Sequence, residues 1–226
     1  MKSLSLLLAL AIPQAAHAKK VAVPIDVGVG PSALIWTGAI AQDQLVHYGL
    51  SISAAAVLDK KFLRQNKKLI PKQYRRQVTQ MDEIRIGYLL IPDTLIISPK
   101  TQNTGMYGVN WSPLSLNLPL LQKPFDFKAT ADLMLTYTFI HSDDDAIGTT
   151  HFLRPGLGLG ANLEVPIGGR FYFSMSWRSA LYVPQAVGSS LEDLGPIDQG
   201  DFSQSIWHVG QGSAQLHYRF PFVTRL

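Results

Sequence analysis

Four stretches of the chain alternate apolar and polar residues, one by one, for longer than a strand of a soluble protein usually runs. Between Asp126 and Phe139 one face carries Phe127, Ala129, Ala131, Leu133, Leu135, Tyr137 and Phe139, and the other Lys128, Thr130, Asp132, Thr136 and Thr138. Leu153 to Ile167 sets Leu157, Leu159, Leu163 and Val165 against Arg154, Gly156, Gly158, Gly160, Asn162 and Glu164. Phe171 to Val183 sets Phe173, Met175, Trp177 and Leu181 against Tyr172, Ser174, Ser176 and Arg178. At the C-terminal end, Ala214, Leu216, Tyr218, Phe220 and Phe222 oppose Gln211, Ser213, Gln215, His217 and Arg219. A period of two means strands with one apolar and one polar face. Soluble strands average about 5–6 residues, whereas about 9–11 tilted residues cross a bilayer.

Either face of such strands could line the inside of a barrel. A soluble all-β barrel would bury the apolar face. The charges decide against that alternative: Lys128, Asp132, Arg154, Glu164, Arg178 and Arg219 all lie on the polar face, most of them in mid-strand. A charge on the lipid face of a membrane barrel costs about 2–4 kcal/mol at the midplane. Inside a narrow polar lumen the same six can pair across strands. The expected fold is an antiparallel transmembrane β-barrel.

Eight strands are expected: Ile25–Trp36, Leu45–Val57, Ile84–Ile97, Met106–Leu118, Asp126–Ile140, Leu153–Ile167, Arg170–Val183 and Ile206–Phe222. Eight strands enclose an interior that side chains can fill. Pro92 blurs the third, and Pro113 suggests a bulge in the fourth. Ten strands result if Pro184–Ser205 holds a further hairpin. Gly168-Gly169 suits a tight turn. Trp36, Tyr48, Trp111, Tyr137, Trp177, Tyr218 and Phe222 are expected at the two membrane interfaces, where amphipathic rings prefer to sit.

Composition agrees. Charged residues make up 16% of the chain, below the 25% or so of soluble domains, and mean hydropathy is +0.10. No run after the N-terminus is apolar enough for a membrane helix. Residues 1–18 read as a secretory signal peptide: Lys2, an apolar run from Leu4 to Ile12, and the small pair Ala16 and Ala18 before a cleavage point. The mature protein is then 19–226, exported to the bacterial outer membrane. With no cysteine, disulfides and thiolate metal sites are excluded.

One connection departs from the barrel pattern. Asp59–Glu83 should be a short periplasmic turn, yet it is long and holds Lys60, Lys61, Arg64, Lys67, Lys68, Lys72, Arg75 and Arg76. Those eight of the chain's twenty Lys and Arg face three acids, giving the segment +5 and leaving the rest of the mature chain about −2. Asp59 can cap one helix and Pro71 can open a second as its first residue. Phe62, Leu69, Ile70, Tyr74, Val78 and Met81 fall near one side. A basic amphipathic segment is a membrane-surface signature. The other readings are a solvated excursion packed on the barrel rim and a plug threaded into the lumen. Nucleic acid is excluded as a partner by the compartment.

Motifs for chemistry are sparse. There is no HExxH, no GxSxG and no cofactor loop, since Gly156, Gly158 and Gly160 fall on one strand face and leave room in a crowded lumen. No catalytic residue, metal ligand or cofactor is assigned. His141-Ser142-Asp143 is the only local trio of triad type, and Asp143–Asp145 reads as an ordinary acidic loop. The alternating segments and the aromatic final strand Leu216-His217-Tyr218-Arg219-Phe220-Pro221-Phe222 resemble the small eight-stranded bacterial outer-membrane barrels. That family ends on an aromatic residue read by the outer-membrane insertion machinery. Here Val223-Thr224-Arg225-Leu226 displaces that signal. The resemblance implies outer-membrane lipids and the insertion machinery as partners, and a structural or interaction role without enzymatic activity. A narrow channel for small solutes and a lipid-modifying enzyme are the alternatives.

Overall fold

A computed structural model of the protein describes residues 20–37, 46–98, 104–141, 149–183 and 206–225. The alternating runs become eight strands in chain order: β1 (Lys20–Thr37), β2 (Val46–Asp59), β3 (Glu83–Ser98), β4 (Thr104–Leu121), β5 (Asp126–His141), β6 (Thr149–Gly168), β7 (Phe171–Tyr182) and β8 (Trp207–Arg225). Each pairs antiparallel with the next, and β8 closes onto β1 from Lys20↔Arg225 to Thr37↔His208. Closure fixes the number of barrel strands at eight, with β2 and β3 paired from Ile52↔Leu90 to Asp59↔Glu83. Most strands overrun the apolar stretches read from sequence, because backbone pairing continues past the membrane-depth residues. The tight turn after β6 uses Gly169 at φ +58°, a backbone region that glycine enters without strain. The signal peptide, the Asp143–Asp145 loop and Pro184–Ser205 lie outside the described residues.

The barrel is inside-out relative to a soluble protein. Lys128, Thr130, Asp132, Thr136 and Thr138 of β5 are buried in the lumen, while Phe127, Leu133 and Tyr137 face outward. Leu157, Leu159, Met175, Trp177, Leu181, Leu216 and Phe222 continue the apolar exterior. This is the surface of a transmembrane barrel: the strands pair with one another around a closed ring and the apolar side chains meet the hydrocarbon.

Two neighbouring bulges break the alternation. From Ile86↔Leu114 to Leu89↔Ser112, β3 advances three residues while β4 advances two, with Gly87 at φ +69° in the gap. From Trp111↔Leu135 to Leu114↔Leu133, β4 gains one residue over β5 around Pro113. In β4 the extra residue flips the strand's phase, so Asn110 and Ser112 point inward before Pro113 and Ser115 and Asn117 after it. β3 keeps its phase: Glu83 and Arg85 point inward before Gly87, and Leu89 and Ile91 on the same face after it.

Between β2 and β3 the chain forms a small module: helix α1 (Lys60–Gln65), 3-10 turns at Lys67–Leu69 and Lys72–Tyr74, and helix α2 (Arg75–Gln80). The Asp59 carboxylate caps α1 by accepting from the Phe62 amide at 2.6 Å. Pro71 is the residue before the second 3-10 turn, not the first residue of a helix, so its role differs from the sequence expectation. The segment 59–83 also shrinks at both ends, because Asp59 completes β2 and Glu83 opens β3. Leu63, Ile70 and Val78 form the module's core, with Leu58, Tyr74 and Ile84 packed against it. Leu58 and Ile84 are cross-strand partners, and their neighbours Val57, Glu83 and Arg85 are buried in the lumen. The module thus folds onto the outer wall of the barrel rim and leaves the lumen to the strands.

Candidate functional site

The lumen is filled by three layers of side chains. The first lies at the end that carries the chain termini and the module. Arg85, with no exposed surface, reaches from β3 to three carboxylates: Glu83 at 2.5 Å, Asp26 of β1 at 3.7 Å, and Glu164 of β6. Lys128 of β5 lies 2.8 Å from Glu164, 3.4 Å from Glu83 and 3.5 Å from Asp82. Arg219 of β8 adds contacts of 3.1 Å to Asp26 and 3.7 Å to Glu83. Asp26, Glu83 and Glu164 thus face Arg85, Lys128 and Arg219, and formal charge balances. Balance is what allows ionised groups to be buried together, since an unpaired ion in the interior costs several kcal/mol.

Beside this cluster lies a hydrogen-bonded relay. His217 places Nδ1 3.0 Å from Asp26 Oδ1 and Nε2 2.8 Å from Ser174 Oγ. Tyr172 stacks on the imidazole at 4.5 Å and its hydroxyl donates to Asp26. Carboxylate, imidazole and hydroxyl stand in the order of a hydrolytic triad. The chemistry also requires substrate access, and here the relay is enclosed: Ser174 is 1% exposed and His217 not at all.

The middle layer is the Asp132–Arg178 pair at 2.7 Å, with Ser112 and Ser176 as further partners. Tyr88 lies between Arg178 and Arg85, its ring centre 5.1 Å from one guanidinium and 4.9 Å from the other. The third layer, toward the other end, is aromatic. Trp207 meets Trp36 and Phe152 edge-on, each at 5.7 Å between centroids. Arg154 lies over Trp207 at 3.8 Å, a cation on a desolvated ring. Tyr182 bridges to Asn110 and Gln211 through its hydroxyl.

The six sequence-selected charges therefore separate into groups. Lys128, Glu164 and Arg219 join one cluster, Asp132 and Arg178 form a second, and Arg154 stands in the aromatic layer. Sequence reasoning missed Asp26, Glu83 and Arg85, the residues that tie the first cluster together. The signal for Asp26 was present, since it shares a face with Gly28, Gly30 and Ser32 opposite Val27 and Val29. Glu83 was counted with the basic segment, and the face of Arg85 was obscured because apolar Leu89 and Ile91 share it.

Trp36 corrects the interface expectation. It is 1% exposed and points into the lumen, because it keeps the inward phase of Asp26 along β1. Tyr48, Trp111, Tyr137, Trp177 and Phe222 do face outward. Trp177 lies across the backbone of β8: a Cβ on Gly210 would fall 2.7 Å from its ring. At the same end His208, on the outer face, is held by Thr37 at 2.7 Å and Ser179 at 2.6 Å. Among the described residues, none of the module's basic side chains pairs with a carboxylate of the lumen network.

The glycines of β6 do two different things. A Cβ on Gly158 would meet the Met134 side chain at 3.1 Å, so this glycine makes room in the lumen. On Gly156 and Gly160 it would strike the backbone oxygens of Leu181 and Trp177 at 2.4 and 1.9 Å, so these permit close approach of β7.

No protein-family model matches the chain, and no curated protein resembles it in sequence. Solved structures do share its fold. A major outer membrane protein from Thermus thermophilus superposes with a TM-score of 0.51 at 14% identity, over 87% of this chain and 99% of that one. Neisserial surface protein A aligns at 0.47 and 10% identity, covering 89% and 99%. Ail, the attachment invasion locus protein of Yersinia pestis, aligns at 0.46 and 9%, covering 88% and 100%. The chain has the fold of the small outer-membrane β-barrels.

Proposed function

We propose that the protein is a bacterial outer-membrane barrel with a structural or interaction role, its lumen closed to solutes and without enzymatic activity. The carrying observation is the layered filling of the lumen, from the Arg85 cluster through Asp132–Arg178 to the Trp36–Phe152–Trp207 aromatics. An eight-stranded barrel has no space to spare for a water column once such side chains interlock. Burial of Ser174 supports the absence of hydrolytic chemistry. On this reading the chain is exported by cleavage after Ala18 and assembled by the insertion machinery, and what it offers to partners is its outer wall, its loops and the basic module.

The test is conductance in planar bilayers together with labelling by a serine-directed fluorophosphonate. The expected result is an electrically silent barrel and an unlabelled Ser174. Discrete conductance steps would favour the narrow channel instead, and labelling lost on Ser174→Ala would favour the lipid-modifying enzyme.

A further inference from the structure

The charge of the module is less compensated than its composition implies. Its three acids are all engaged elsewhere. Asp59 caps α1. Asp82 faces Lys128 at 3.5 Å and accepts from Gln122 at 3.4 Å. Glu83 is buried in the lumen with Arg85 and Lys128. Among the described residues, none of Lys60, Lys61, Arg64, Lys67, Lys68, Lys72, Arg75 and Arg76 lies within 4.0 Å of a carboxylate. Arg75 is spent on the Ile70 carbonyl at 2.8 Å, and Arg64, Lys67, Lys68, Lys72 and Arg76 are exposed.

Position turns this charge toward the membrane. The module's apolar core is seated on Leu58 and Ile84, which belong to the lipid-facing wall. The apolar exterior continues around the same end through Leu120, Leu121, Ile167, Phe171 and Phe222. The next layer beyond an apolar band is that of lipid headgroups. Leu63, Ile70 and Val78 are consumed by the module's own core, so Phe62, Tyr74 and Met81 do not form the deep apolar face of a free amphipathic helix. What remains for the headgroup layer is charge.

We propose that the basic module is a binding site for anionic phospholipid headgroups in the leaflet at the termini end of the barrel. Arg64, Lys67, Lys68, Lys72 and Arg76 supply the contacts. The proposal rests on the membrane-barrel reading and names a partner for it. The module pins one rim of the barrel to the phosphate layer while the lumen stays closed.

The test uses the full mature chain. Wild type and a variant with Arg64→Gln, Lys67→Gln, Lys68→Gln and Arg76→Gln are reconstituted into phosphatidylcholine vesicles and floated on a density gradient. Both should float; failure of both would sink the barrel reading itself. Association of spin-labelled phosphatidylglycerol relative to phosphatidylcholine is then measured by electron paramagnetic resonance. Cations near a charged surface are each worth about fivefold in association. Wild type should prefer phosphatidylglycerol at least about fivefold at low salt, and the variant should lose that preference, as should wild type in high salt. The variant leaves Leu63, Ile70 and Val78 in place, so unchanged exchange protection there keeps the comparison sound. Equal loss in a Lys123→Gln, Arg170→Gln variant would assign the effect to the rim at large and overturn the proposal. No lipid preference in wild type, with binding to purified murein sacculi, would overturn it in favour of an anionic polymer.

Discussion

Replacing Arg85 with methionine tests whether the lumen is a dry, packed interior. Methionine keeps an unbranched apolar stem and removes the charged guanidinium. Asp26, Glu83 and Glu164 would then face only Lys128 and Arg219, leaving one carboxylate uncompensated at a fully buried place. Breaking a buried ion pair in this way costs about 3–5 kcal/mol. In a water-filled pore the same contacts would be screened and worth about 0–1 kcal/mol. The size of the loss therefore separates a plug from a channel. It is read by urea unfolding of the barrel in lipid vesicles, followed by tryptophan fluorescence and by loss of the compact band on unheated gels. An unchanged m-value confirms that the same surface unfolds. Adding Glu164→Gln removes the surplus charge, leaving Asp26 and Glu83 against Lys128 and Arg219. Because both residues belong to one network, the double variant should recover about 0.5–3 kcal/mol relative to additivity. A single-variant loss below about 1 kcal/mol, or a double variant that merely adds the two losses, would refute the dry-lumen argument.

Two further outcomes follow from the register. In single-tryptophan variants, brominated lipids should quench Trp111 and Trp177 and leave Trp36 and Trp207 bright; quenching of Trp36 would overturn its inward assignment. Gly160→Ala should destabilise the barrel by about 1–3 kcal/mol, because its Cβ meets the Trp177 carbonyl at 1.9 Å, whereas Gly49→Ala, with nothing nearer than 3.7 Å, should cost less; equal midpoints in urea would contradict the close approach of β6 and β7.

The sequence was most legible where nothing interrupts the period of two. β5 to β8 keep one phase across the membrane, so Lys128, Asp132, Arg154, Glu164, Arg178 and Arg219 could be assigned to a face from spacing alone. In β1 two arguments competed. Aromatic preference for headgroup depth pulled Trp36 outward, and parity with Asp26 pulled it inward. Phase prevails because turning one residue outward would turn the whole strand. β3 and β4 were opaque for definite reasons: in β4 the extra residue at Pro113 moves the inward face from Asn110 and Ser112 to Ser115 and Asn117, and in β3 the inward face itself turns from Glu83 and Arg85 to the apolar Leu89 and Ile91. Which inward residues meet was not legible at all. Asp26, Arg85, Glu164 and Arg219 come from β1, β3, β6 and β8, and only barrel closure brings them together.

The same closure links the lumen to the module. Arg85, Lys128 and Arg219 are three cations, one more than Asp26 and Glu164 can balance alone. The deficit is met by Glu83, with Asp82 adding to Lys128, at the point where the module rejoins the sheet. Drawing these acids into the barrel balances the buried charges and at the same time strips the module of its counterions. The charge-balanced cluster and the basic rim are thus two results of one division of charge. The barrel gains a filled lumen that needs no ions from solution, and the rim is left to find its anions outside the chain, in the headgroup layer against which Leu58 and Ile84 hold it.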